Sequence, residues 1–86
     1  DYYALDFMQF LQGRGVRIPK DLQIIGMDDS MASRESIPAL TTIHQDADLR
    51  AKTAIECIED MREGRDFGTR IVLPVKLIKR ESTGKL

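Results

Sequence analysis

The run Leu22-Gln23-Ile24-Ile25-Gly26-Met27 is apolar at almost every position, and this limits the fold more than any other stretch of the chain. An extended segment points successive side chains to opposite faces. A run that does not alternate therefore needs cover on both sides, as a strand has inside a parallel sheet flanked by helices. Ile18-Pro19 favours an extended approach to it, because the residue before proline is biased away from helix. The strand ends on Asp28-Asp29, a polar stretch runs from Ser30 to Ser36, and Ile37-Pro38 closes it. Leu40-Thr41-Thr42-Ile43 reads as a second short strand, rich in β-branched residues.

Helical spacing brackets these strands. Asp1 stands where it can cap a helix over residues 2–13, in which Ala4, Phe7, Met8 and Leu11 recur on one side and Gly15 supplies the stop. Leu5, Tyr3 and Phe10 widen that apolar arc beyond what a surface helix needs, so two surfaces must cover it, either both from its own domain or one from a partner chain. A second helix is expected over residues 46–63, with Ala47, Ala51, Ala54, Ile55, Ile58 and Met61 as its stripe and Gly64 as its end. Thr69 to Leu73 reads as a strand that Pro74 interrupts and Val75 to Ile78 resumes, and the tail from Glu81 to Leu86 reads as mobile. The order helix, strand, strand, helix, strand indicates an α/β layered fold with parallel-sheet segments and two main helices.

Size and charge narrow the function. The 86 residues allow a single domain. Thirteen basic against 14 acidic side chains, a net charge of -1, give no basic field to gather nucleic acid or anionic membrane. No apolar run approaches a membrane span and Asp1-Tyr2-Tyr3 does not open a signal peptide, so a cytoplasmic setting is expected. The single cysteine, Cys57, fits a reducing compartment. Because the first residue is not methionine and sits at a helix cap, the chain reads as a piece of a longer protein.

The best site candidate is Asp28. In open α/β sheets ligands bind beyond the carboxyl ends of the strands, and a carboxylate there accepts strong, charge-assisted hydrogen bonds from sugar or ribose hydroxyls. The competing reading is an aspartate that merely caps the turn. A magnesium or phosphoacceptor site on Asp28-Asp29 would need further acidic residues and a lysine at other strand ends, and only Asp46 and Asp48 are on offer, at a helix start. His44 has no partner at metal-like or triad-like spacing and reads as structural or surface. Cys57 reads as a small hydrophobe, Gly13-Arg14-Gly15 as a helix end, and Lys76, Lys79 and Arg80 as a solvated edge. No metal and no cofactor are expected.

Taken in order, several segments resemble one family. Asp1-Tyr2-Tyr3-Ala4 matches a D-x-x-A helix opening, Gly15 to Asp21 matches G-x-x-I-P-x-D, and Ile25-Gly26-Met27-Asp28-Asp29 matches an I-G-[FY]-D-[DN] strand end. Pro38 to Ile43 with Gln45, and Leu77 to Thr83, complete the pattern of the lactose and galactose repressor (LacI/GalR) family of bacterial transcription regulators. The matches cover nearly the whole chain.

The resemblance implies the C-terminal part of an effector-binding core with a periplasmic-binding-protein-like (type I) fold, not an enzyme. Residues 1–39 and 74–86 would belong to its C-subdomain and residues 40–73 to an N-subdomain segment. The DNA-binding headpiece and the other half of the cleft would lie outside the chain. Such proteins bind a small effector, often a sugar and sometimes a purine, and its occupancy alters how paired headpieces fit operator DNA. Asp28 matches the family's effector-binding aspartate, and Gln45 and Ala47 match effector-facing positions on a crossover, although alanine replaces a bulkier residue at the latter. Met27 replaces the usual aromatic. Dimerisation through the C-subdomain would use Leu5, Met8 and Gln9 on the first helix with Ala32 and Ser36 on the following loop. A periplasmic sugar-binding protein of the same fold and a receiver-type phosphoacceptor domain are the alternatives. By this resemblance the sheet under the second helix lies mostly outside the chain, and the 86 residues should be marginal in stability until another chain covers that stripe.

Overall fold

A computed structural model describes residues 1–66, 68 and 70–84. Three helices and three strands follow one another as α1 (Tyr2–Gly13), β1 (Ile25–Met27), α2 (Met31–Glu35), β2 (Thr41–Gln45), α3 (Ala47–Arg62) and β3 (Val75–Ile78). The strands form one sheet in the order β1-β2-β3, with β1 and β2 parallel and Ile25, Gly26 and Met27 opposite Thr41, Thr42 and Ile43. Parallel neighbours need a connection of about a dozen residues, and residues 28–40, which contain α2, supply it.

Local signals set the helix ends. At α1 the Gly15 N–H donates to Gln12 O and the Val16 N–H to Leu11 O, while Gly15 takes φ 84°. Gly64, at φ 70°, closes α3 in the same way, with its N–H on Met61 O and the Arg65 N–H on Asp60 O. Both are Schellman ends, in which a glycine enters the left-handed region to satisfy the last carbonyls. Asp46 caps α3 by accepting from the Leu49 N–H at 3.0 Å. Asp1 occupies the N-cap of α1 without capping it, since its carboxylate instead accepts from the Ser30 N–H and the Thr42 hydroxyl, each at 2.6 Å.

Chain contacts divide the protein into two compact units, residues 1–45 with 76–86, and residues 46–75. In the first, the buried apolar side chains among the described residues are Met8, Ile18, Ile24 and Leu40, with Ala4, Leu5 and Leu11 packed against them. Gly26 sits in the closest part of this packing. A Cβ there would lie 2.6 Å from Asp1 Oδ1 and 2.7 Å from Leu40 Cδ2. In the second unit, α3 buries no residue, and Ile55, Ile58 and Met61 are all exposed.

Several expectations need correction. β1 is only three residues long and is not buried on both faces: Ile24 is inside, whereas Ile25 and Met27 are 56% and 47% exposed on the side that α1 does not cover. Ile18-Pro19 lies in a turn, closed by the Asp21 N–H on Arg17 O at 2.7 Å and by the Arg17 guanidinium on the Asp21 carboxylate at 3.1 Å. The polar stretch after Asp29 is not all loop: Ser30 caps α2 by accepting from the Ser33 N–H. Residues 70–73 form no strand, Thr69 lies outside the described residues, and only the stretch after Pro74 joins the sheet.

The tail also differs from its expectation as far as it is described, Lys85 and Leu86 lying outside. Ser82 is fully buried and clasps the sheet. Its carbonyl accepts from the Ile24 N–H, its hydroxyl donates to Ile24 O at 2.6 Å and accepts from the Thr41 N–H at 2.8 Å, and its N–H donates to Ala39 O at 2.9 Å. A chain end with four such bonds is ordered because each buried backbone group would otherwise lose its partner. No helix among the described residues is long and apolar enough to cross a membrane.

Candidate functional site

The ladder between β1 and β2 continues one step past Met27, where the Asp28 N–H donates to Ile43 O at 2.9 Å. There the chain turns sharply, with Asp28 at φ 104° and Asp29 at φ 52°. Positive φ costs a non-glycine residue about 1–3 kcal/mol, and aspartate is among the side chains that tolerate it best. Three amides hold the turn: that of Asp28, that of Asp29 on the Thr42 hydroxyl at 3.2 Å, and that of Ser30 on Asp1. The two neighbouring carboxylates consequently meet different surroundings.

Asp28 remains exposed, and its Oδ1 accepts from Gln45 Nε2 at 3.0 Å. Two of the expected effector residues thus meet at the carboxyl ends of adjacent parallel strands, where open α/β sheets hold ligands. The third, Ala47, is the first residue of α3, in the second unit.

Asp29 turns inward, its side chain only 6% exposed. Oδ1 accepts from Arg80 Nη2 at 2.5 Å, and Oδ2 from Arg34 Nη2 at 3.3 Å and His44 Nδ1 at 3.0 Å. The Arg80 hydrogen bond first, then those of Arg34 and His44, hold the Asp29 carboxyl at about 2 against the 3.8 of a free aspartate. The strand register brings His44 to Asp29, a partner that spacing in the sequence does not show, and leaves it a structural histidine at the surface. Arg80, by contrast, is no solvated edge. Its Nη1 also donates to Ser33 Oγ at 2.9 Å and to Leu40 O at 3.0 Å. Linear spacing carries no trace of these contacts, which join residues 15 and 51 positions apart.

Of the residues expected at a dimer contact, Leu5, Met8, Gln9 and Ser36 line one groove of about 290 Å3 between α1 and the end of α2, together with Gln12 and Ile37. Met8 forms its floor as part of the core, while Gln9 and Ile37 are exposed on its rim. The Gln12 side-chain amide donates to Ile37 O at 3.1 Å and ties the two walls. Ala32 lies half-buried on α2.

Comparison with known proteins bears on the family and the fold. The model of the periplasmic binding protein-like domain matches residues 1–83. The lactose operon repressor of Escherichia coli K12 is 35% identical over 83 residues, covering 96% of this chain and 23% of the repressor. The transcriptional repressor PurR of Haemophilus influenzae is 38% identical over 86 residues, 95% of this chain and 26% of that protein. The chain thus spans about a quarter of the length of the curated relatives it matches.

Solved structures give the same picture. A periplasmic binding protein/LacI transcriptional regulator from Alkaliphilus metalliredigens, complexed with D-xylulofuranose, superposes with a TM-score of 0.84 at 38% identity, over 99% of this chain and 32% of that one. The Lac repressor dimer bound to operator and an anti-inducer superposes with a TM-score of 0.87 at 35% identity, over 93% and 28%. Matched along residues 1–83 by the domain model and by repressors in both sequence and structure, the chain belongs to the periplasmic binding protein-like family, among the effector-binding cores of the LacI/GalR regulators.

Proposed function

We propose that the chain is the effector-sensing part of a cytoplasmic bacterial transcription regulator that acts as a dimer, with no catalytic step of its own. The observation that carries this reading is the Asp28–Gln45 pair at the strand ends. One carboxylate and one amide, fixed beside each other and open to solvent, suit vicinal hydroxyls, so the effector is a sugar first and a nucleoside-like molecule second. In this reading the C-subdomain wall comes from residues 1–39 and 74–86 and an N-subdomain segment from residues 40–73; the compact units, residues 1–45 with 76–86 and residues 46–75, support the division but keep residues 40–45 with the first part. Effector affinity that differs between two arrangements of the subdomains would shift the population able to grip operator DNA, through a headpiece outside this chain. The repressor identity of the relatives favours this over a periplasmic sugar-binding protein, and the Arg80 pairing of Asp29 disfavours a receiver-type phosphoacceptor.

Two measurements test the reading. Titration calorimetry of the intact protein against a panel of pentoses and hexoses that includes D-xylulose should find a binder. Asp28→Ala should then weaken it by about 1.5–3 kcal/mol, the worth of a hydrogen bond to a charged group. Unchanged affinity would remove Asp28 from the site.

For the dimer, the contact surface in this reading is Leu5, Met8, Gln9 and Ser36, which line one groove, with Ala32 on α2. A carboxylate buried at its centre would be desolvated and unpaired, so Leu5→Asp should shift the intact protein to monomer in sedimentation. A variant that stays dimeric at micromolar concentration would assign Leu5 to its own core alone.

A further inference from the structure

We propose that Arg80 is a positioning residue for the effector site, acting through Asp29 to hold the turn that presents Asp28; this rests on the reading of Asp28 as the effector contact. Arg80 is fixed before its side chain begins. Its N–H donates to Thr41 Oγ1 at 2.8 Å and its carbonyl accepts from the same hydroxyl at 3.2 Å, which anchors its backbone to the first residue of β2. From there the guanidinium reaches three acceptors on three segments: Asp29 in the turn, Ser33 in α2 and the carbonyl of Leu40 just before β2. Ser33 is itself fully buried and donates to Ser30 O, the residue that follows the turn.

The three partners of Asp29 are not equivalent. Arg34 and His44 have side chains 58% and 45% exposed, whereas that of Arg80 is 15% exposed. Arg80 is the inner anchor and the other two lie towards solvent. Its planar fork serves several acceptors at fixed angles, which a lysine ammonium, a point charge on a flexible stem, does not reproduce. Because Asp28 and Asp29 both carry positive φ, releasing the Asp29 carboxylate lets the turn relax into ordinary backbone. The Asp28 carboxylate then no longer sits opposite Gln45.

The test reads the turn without any effector. Hydrogen exchange of the intact protein should show the amides of Asp28, Asp29 and Ser30 protected. In Arg80→Lys their exchange should rise at least tenfold while the α1 amides of Met8 and Leu11 keep theirs, whereas a merely structural loss would raise both sets together. Asp29→Asn, which keeps the side-chain shape and removes its charge, is the second variant and should loosen the same three amides. Arg34→Gln should leave them protected. Unchanged protection at residues 28–30 in Arg80→Lys or in Asp29→Asn, or a uniform rise in both variants, overturns the proposal. Asp28→Ala in the titration above decides separately whether Asp28 binds an effector, so the two ideas fail independently.

Discussion

Asp29→Ala is expected to destabilise the protein by about 3 kcal/mol at neutral pH, the lower end of what breaking a buried ion pair from one side costs. The loss strands the guanidinium of Arg80, which keeps Ser33 and Leu40 as acceptors, and takes away the counter-charge of Arg34 and the hydrogen-bond partner of His44. The same carboxylate has a signature in acid. Its folded value of about 2 lies below the 3.8 of the unfolded chain, so its contribution is complete above about pH 4 and drains away as the pH falls towards 2. Urea unfolding at pH 7 and at pH 3 should therefore show a gap between the native protein and Asp29→Ala that narrows in acid. Equal gaps at both values would mean that Asp29 is not held ionised by its partners.

Leu40→Ala carries the other large effect. Leu40 is fully buried, one of a buried apolar set that otherwise comprises Met8, Ile18 and Ile24 among the described residues. Its Cδ2 lies where it would crowd any side chain added at Gly26. Removing a leucine from such packing costs about 2–5 kcal/mol, through lost transfer energy and the cavity left behind. With so few side chains to collapse into the space, a loss of about 3 kcal/mol in urea is expected. A loss below about 1 kcal/mol, as at a surface position, would show that the core repacks around the gap.

Helix ends were readable because their causes are local. Gly15 and Gly64 terminate α1 and α3, and Asp46 caps α3, each through bonds to residues within a turn or so. α2 was missed since its five residues are too short for periodicity to register. Asp28 and Gln45 were readable for another reason. The motif and the strand pattern put both near strand ends, and the parallel register then made them neighbours. Arg80 and Ser82 were not. A basic residue after an alternating strand has the composition of a wet edge, and only the tertiary fold reveals that its charge answers an aspartate 51 positions earlier. Asp1 shows a milder form of the same limit, since its place was right for a cap and its carboxylate serves Ser30 and Thr42 instead.

The Ser82 clasp sets a timetable for the nascent chain. Ile24 emerges from the ribosome 58 residues ahead of the serine that will bond both its amide and its carbonyl. At roughly 5–20 residues per second, that interval is on the order of 3–12 s. Throughout it the backbone on that side of β1 has no partner from the tail, and Asp29 waits almost as long for Arg80. The first unit therefore joins residues 1–45 to residues 76–86, with α3 made in between. Its strands lie in the order of synthesis, but the bonds from Arg80 and Ser82 come only after all three. Folding of this region is timed by the end of the segment, and a ribosome pausing before residue 80 would hold β1 and β2 in an open, aggregation-exposed state.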